Sequence, residues 1–203
     1  MQKNKRIQSV FWVYFIIILV SCGPSSLTEA ELITYVNDKS NGLTHQENIG
    51  EVTLQVTYRP SDLLVIQEIE NVEDSLQVQR LREKYDQNLY FIFSMTIPGN
   101  DSNGSPGYVA APKNYRQKLA FGMGEHIQLL TSGETLPMKD YVYNAGVGRT
   151  NTHSLLLVFD KNQALEKDRL TLQILEFGMG LGTQTFTFSS QKISATPKLK
   201  NLP

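Results

Sequence analysis

Three histidines, His45, His126 and His153, are the first side chains to weigh for chemistry in this chain of 203 residues, and their spacing matches no metalloprotease pattern. The single cysteine, Cys22, leaves no cysteine–histidine set for zinc. Glu125, His126 and His153 serve acid–base chemistry only if the fold brings them together, so a hydrolytic site around His126 or His153 is an open alternative. Ser189-Ser190-Gln191-Lys192 fits Ser-x-x-Lys, in which a lysine activates a serine, but the companion motifs of that enzyme class are missing. No Gly-x-Ser-x-Gly occurs. The carboxylates Glu68, Glu70, Glu73 and Asp74 lie in amphipathic segments where solvation accounts for them.

Gly178-Met179-Gly180-Leu181-Gly182 has the glycine density of a phosphate loop. Thr183 stands where a dinucleotide fingerprint needs its third glycine, and the following residues alternate like a strand, so a hairpin loop is expected instead. Gly122-Met123-Gly124 and Gly146-Val147-Gly148 lack the Lys-Ser/Thr of a P-loop. Asn100-Asp101-Ser102-Asn103-Gly104 offers oxygen ligands, but Pro112 occupies the place where a calcium loop carries glutamate, and the composition is that of a turn. Neither metal nor cofactor is expected. Tyr141, Tyr143, Asn144 and Arg149, with Tyr108 and Tyr115, form an aromatic and amide set that can hold a sugar, a peptide or a partner protein. Tyrosines also cover the edges of strand cores routinely, which is the competing explanation.

The most specific signal lies at the amino terminus. Lys3, Lys5 and Arg6 precede an unbroken apolar run from Val10 to Val20, too short for the roughly 20 apolar residues a spanning helix needs. At its end stands Leu19-Val20-Ser21-Cys22, which resembles the lipobox of bacterial lipoproteins. The resemblance covers residues 1 to about 25. It implies a signal peptide over 1–21, cleavage before Cys22, acylation of that cysteine, and anchoring of the chain in a membrane of the cell envelope. With no second cysteine, a disulfide is excluded. In the enterobacterial members an aspartate after the cysteine retains the protein in the inner membrane; Gly23 carries no such signal, which favours the outer membrane. Two or three acyl chains, at about 0.8 kcal/mol per buried methylene, make anchoring stable.

Removal of the leader takes three of the 19 basic residues and none of the 20 acidic ones, which leaves about −4 on the remainder. That balance excludes a nucleic-acid binder relying on bulk positive charge, and 40% hydrophobic content excludes a wholly disordered chain. After a short linker over 22–27, residues 28–203 fall in the size range of one domain.

The elements that would position any site are legible as periods. Thr28-Glu29-Ala30-Glu31 is a capping box that starts a helix carrying Leu32, Ile33 and Val36 on one face. Val52, Leu54, Val56 and Tyr58 alternate with polar residues as a strand, paired with 43–46 across a turn at 47–50. Ser61 is expected to cap a second helix, with Asp62 at its positive end, and Asp74 to Gln87 forms a third with Leu76, Leu81 and Tyr85 inward. Leu89 to Ile97, apolar on nearly both faces, should be a central strand. The segment 98–107 reads as an exposed loop and 112–119 as a short helix. Further strands are expected at 127–131, 141–144, 154–160, 169–177 and 184–189, with a bulge or strand end near Leu175. The expected fold is α+β: N-terminal helices and a hairpin, then a β-rich portion from about residue 89 with an immunoglobulin-like antiparallel sandwich. The expected function is that of a lipid-anchored, non-catalytic binding or structural module. Its partners are the membrane, through lipid on Cys22, and envelope proteins, with no nucleic acid.

Overall fold

Alternation of buried and more exposed residues along strands such as 152–160, 169–174 and 184–189 builds the sheets of this α+β protein. A computed structural model describes residues 25–69, 74–97, 114–145, 152–200 and 202. In chain order the elements are β1 (Ser26–Leu27), α1 (Glu29–Asn37), β2 (Thr44–Ile49), β3 (Val52–Arg59), α2 (Ser61–Glu68), α3 (Ser75–Asp86), β4 (Asn88–Thr96) and α4 (Tyr115–Phe121). They continue with β5 (Ile127–Leu130), β6 (Thr135–Pro137), β7 (Asp140–Ala145), β8 (Thr152–Asp160), α5 (Lys161–Leu165), β9 (Arg169–Ile174), β10 (Gln184–Ser189), α6 (Ser190–Ser194) and β11 (Lys198–Leu199).

A five-stranded sheet has the order β2-β3-β4-β8-β7 and a four-stranded sheet the order β10-β9-β5-β6, all pairs antiparallel. β4 is central, as its two apolar faces demand. Leu89, Phe91, Phe93 and Met95 of β4 and Leu155, Leu157 and Phe159 of β8 are buried on one side of the larger sheet. Leu170, Leu172, Phe186 and Phe188 of the smaller sheet are buried in the same core cluster, and the Phe91 and Phe188 rings meet with centroids 4.8 Å apart. A third, two-stranded sheet pairs β1 in parallel with β11, joining the start of the described chain to its end.

The helices begin much as their caps dictate, with informative exceptions. The Thr28–Glu31 capping box is present at α1. Asp74 caps α3 by accepting from the amides of Leu76 and Gln77. Ser61, expected as a cap, is instead the first residue of α2 after Pro60, whose fixed φ suits that entry. Asp62 stands in the first turn of α2, as expected, and it is also buried there: its Oδ2 accepts from the Leu199 amide at 2.9 Å, fastening β11 to α2. In α3 the expected inward Leu76 is 66% exposed, while Val78 and Leu81 are buried. Residues 78, 81 and 85 share a stripe at helical spacing that leaves 76 on the opposite side. The β2–β3 hairpin also runs longer than its sequence suggests. It turns only at Gly50-Glu51, with Gly50 at a φ of 58° that favours glycine. β9 ends at Ile174, where the strand end near Leu175 was expected.

Candidate functional site

Several of the residues able to do chemistry converge at one place, where α4 lies over the inner face of β7 and β8. The register pairs Tyr143 with Leu155 and Ala145 with His153. His153 is buried, yet both its ring nitrogens are hydrogen-bonded: Nδ1 to the Tyr143 hydroxyl at 2.7 Å and Nε2 to the Tyr115 hydroxyl at 3.1 Å. The Tyr143 ring stacks on the imidazole at 6.0 Å and 16°, and the Tyr115 ring meets it edge-on at 5.3 Å and 82°. Arg116 donates from Nε to the Tyr115 oxygen at 3.1 Å. One turn along, the Tyr141 hydroxyl accepts from the Met123 amide at 3.2 Å and holds the end of α4 to β7.

The electrostatics follow from burial. Desolvation, and then the positive charge of Arg116, hold the His153 pKa below the ordinary histidine value, so the ring is neutral at neutral pH. A neutral imidazole bears one proton, so it donates to one phenol and accepts from the other. Burial likewise pushes the Tyr143 hydroxyl up. The cluster therefore forms a chain of hydrogen bonds from a guanidinium at the surface through two phenols and an imidazole, without a carboxylate or serine among the imidazole's described hydrogen-bond partners.

The strand pleat splits the expected binding set. Tyr141 and Tyr143 are half-buried and packed against the core, whereas Asn144 is exposed on the other face. Arg149 lies outside the described residues, as do Cys22, Tyr108, Glu70, Glu73, Gly146, Gly148 and the turn at 100–104. β7 is the last strand of its sheet, so one side of its backbone has no strand partner among the described residues. Val142 on its outer face is 57% exposed, and Phe121 at the end of α4 is 84% exposed. An open strand edge flanked by exposed apolar side chains, and stiffened from behind by the His153 cluster, is a surface that can receive an extended peptide or another strand.

His126 is placed elsewhere. Its backbone accepts from the Leu175 amide at 2.8 Å, and its ring tilts against Phe177 with centroids 6.4 Å apart. Among the described residues no group of three or more His, Cys, Asp or Glu side chains is arranged to hold a metal ion.

Two sequence candidates have structural uses. The glycine segment does form an anion-binding loop, but the chain fills it with its own carboxylate. Glu176 Oε1 accepts from the amides of Gly178 at 2.7 Å, Met179 at 2.6 Å and Gly180 at 3.0 Å, and Oε2 from Gly182 at 2.5 Å. Gly178, Gly180 and Gly182 all adopt positive φ, the conformation that turns successive amides toward one point. Burial acts to raise the Glu176 pKa, and the four amide bonds outweigh it and lower it. In the Ser-x-x-Lys segment, the Ser189 hydroxyl caps α6 by accepting from the Lys192 amide at 3.4 Å. Comparison with protein-family models, with curated proteins and with solved structures gives no match to this chain.

Proposed function

We propose that the protein is a lipid-anchored cell-envelope lipoprotein whose folded body acts as a non-catalytic binding module. The observation that carries the reading is the lipobox Leu19-Val20-Ser21-Cys22 closing a short apolar run behind a basic leader. The start of the fold agrees with it. β1 begins at Ser26, and the Ser25 carbonyl already accepts from the Lys198 amide at 3.2 Å. At about 3.5 Å per residue, the few residues after Cys22 let the body stand roughly 10 Å from the bilayer surface. Among the described residues no helix is long and apolar enough to cross a membrane. Gly23 favours the outer membrane over the inner.

The body is read as a sandwich of immunoglobulin-like layout in the broad sense of two antiparallel sheets face to face, supported by the Phe91–Phe188 contact between them. The β7 edge, with Val142 and Phe121, is its binding face for an envelope protein. The phenols that surround His153 support this reading over the hydrolase alternative, since that alternative calls for a serine or carboxylate beside the ring.

The test compares wild type with Cys22→Ala in bacterial membranes. Wild type is expected to partition with membranes, to carry acyl mass on a peptide beginning at Cys22, and to lack tryptophan fluorescence because Trp12 has left with the leader. Cys22→Ala should keep Trp12 and lose the lipid. Wild type that retains residues 1–21, or a Cys22 peptide without acyl mass, overturns the proposal.

A further inference from the structure

Away from the His153 cluster, β2 and β10, the end strands of the two sheets, come together, and the seam between them holds a cavity of about 360 Å³. Gly42, His45, Asp168, Arg169 and Lys192 line it beside Phe188. Three features mark it as more than a surface dent. First, His45 Nε2 is the one buried side-chain nitrogen or oxygen among the described residues that has no hydrogen-bond partner, where such groups are nearly always paired. The register sets His45 beside the wholly buried Val56 and so turns its ring into the seam, where it meets Phe188 edge-on at 4.7 Å and 84°. The Gly42 backbone hydrogen-bonds the ring. With Nε2 unpartnered that bond belongs to Nδ1, and a neutral imidazole so held keeps a bare lone pair at Nε2. Burial, before any other influence, keeps the ring neutral. Second, the cations are available. Lys192 and Arg169 are exposed, and neither side chain has an ion-pair or hydrogen-bond partner among the described residues. These two cations against the single carboxylate of Asp168 leave the lining with a net charge of +1. Third, Gly42 makes room for the lysine. A Cβ at that position would stand 2.8 Å from Lys192 Nζ and 3.2 Å from its Cδ, so any side chain there would push the ammonium away.

We propose that this cavity binds a small hydroxylated monocarboxylate of the sugar-acid class. Its carboxylate lies between Lys192 and Arg169, and one of its hydroxyls donates to His45 Nε2 as the exposed Lys192 chain moves off Gly42 toward the carboxylate. A second hydroxyl donates to Asp168. Both halves of the ligand answer to the lining: a bare lone pair takes a hydroxyl and repels a carboxylate, and a net charge of +1 suits a single negative charge. The volume falls at the lower end of the roughly 300–1,000 Å³ of small-molecule sites. The assignment is independent of membrane anchoring and of the β7 edge, so either can fail without the other.

The test uses the full-length chain in a detergent without sugar groups. Its probes are D-glucuronate, D-glucose, which lacks the carboxylate, cyclohexanecarboxylate, which lacks the hydroxyls, and inorganic phosphate. Saturation-transfer NMR, with phosphate read by competition, should give saturable millimolar binding of D-glucuronate and binding about tenfold weaker or less for the other three. Lys192→Gln removes one cation and should weaken D-glucuronate about tenfold. His45→Phe keeps a ring against Phe188 and removes the lone pair, and should weaken it roughly three- to tenfold. Circular dichroism checks that each variant is folded; if one is not, the ranking of the four probes on wild type decides alone. Binding of D-glucose as tight as that of D-glucuronate makes the cavity a neutral sugar site, and equally tight cyclohexanecarboxylate or phosphate makes it a plain anion site; each overturns the proposal. So does unchanged binding in either folded variant, or the lack of saturable binding of D-glucuronate.

Discussion

Glu176 offers the sharpest test of how a glycine-rich loop is ordered here. Replacing it with alanine removes the acceptor of four amides, three on one oxygen at 2.6–3.0 Å and one on the other at 2.5 Å. A hydrogen bond to a charged group contributes roughly 1.5–3 kcal/mol where it is shielded. Glu176 is exposed, and in the unfolded chain both partners bond to water, so solvent screening brings each bond to about 0.5 kcal/mol. Four such bonds give a loss of about 2 kcal/mol for Glu176→Ala, or about 4–8 °C in Tm for a chain of this size. Glu176→Gln keeps one carbonyl oxygen for the three clustered amides and turns an amide group toward Gly182, so about half the loss is expected. The pH dependence separates a charge effect from a packing effect. A carboxylate whose folded pKa is depressed contributes stability above its unfolded value, near 4.3, and loses it as pH falls through the folded value. The gap in Tm between wild type and Glu176→Ala should thus be full at pH 7 and narrow below about pH 4. Thermal melts followed by circular dichroism at several pH values measure it. A gap that is absent at pH 7, or that persists unchanged into acid, refutes the view that this carboxylate organises the turn.

Other perturbations follow from the same structure. His153 and His45 both have pKa values held below the ordinary histidine value, first of all by burial, so the unfolded chain binds more protons below about pH 6.5 and stability should fall as pH drops from there toward 5. His153→Gln, which still offers one donor and one acceptor to the two phenols, should flatten that part of the pH–Tm curve; an unchanged slope would assign the protons elsewhere. Thr28→Ala breaks the capping box at α1 and should lower stability by about 1 kcal/mol in a urea titration, with little change in slope. Leu76→Ala should change stability by no more than about 0.5 kcal/mol because the side chain is 66% exposed. Leu81→Ala, on the buried stripe, should lose about 2–4 kcal/mol; equal effects would contradict the orientation of α3.

Local patterns account for the elements that the sequence made legible. The alternation from Val52 to Tyr58, the two-sided apolar run of β4 and the Thr28 capping box depend on near neighbours in the chain, and each stands where the local pattern placed it. What escaped depends on partners far along the chain. Asp62 has the position of a helix-dipole residue, and only the arrival of Leu199 makes it a buried fastener. Leu76 was misplaced because several apolar residues in one short helix allow more than one inward face, and packing on the sheet selects Val78 and Leu81. The glycine segment reads as a hairpin loop, and nothing in its pattern says that Glu176, two residues before it, fills it with a carboxylate. His153, Tyr115 and Tyr143 were each singled out by type; their union requires α4 to fold over β7 and β8, which no spacing in the sequence encodes.

The parallel pairing of β1 with β11 gives the chain a clasp with an order of assembly. Ser26 and Leu27 cannot complete their pairing until Lys198 and Leu199 exist and are in place, and Asp62, buried in α2, also waits for the Leu199 amide. A polypeptide emerging amino terminus first therefore keeps β1 open until residues 198 and 199 have appeared. This pairing joins residues of high sequence separation, a contact that is slow to form. If the chain is exported unfolded, as the proposed lipoprotein reading has it, such a delay is useful.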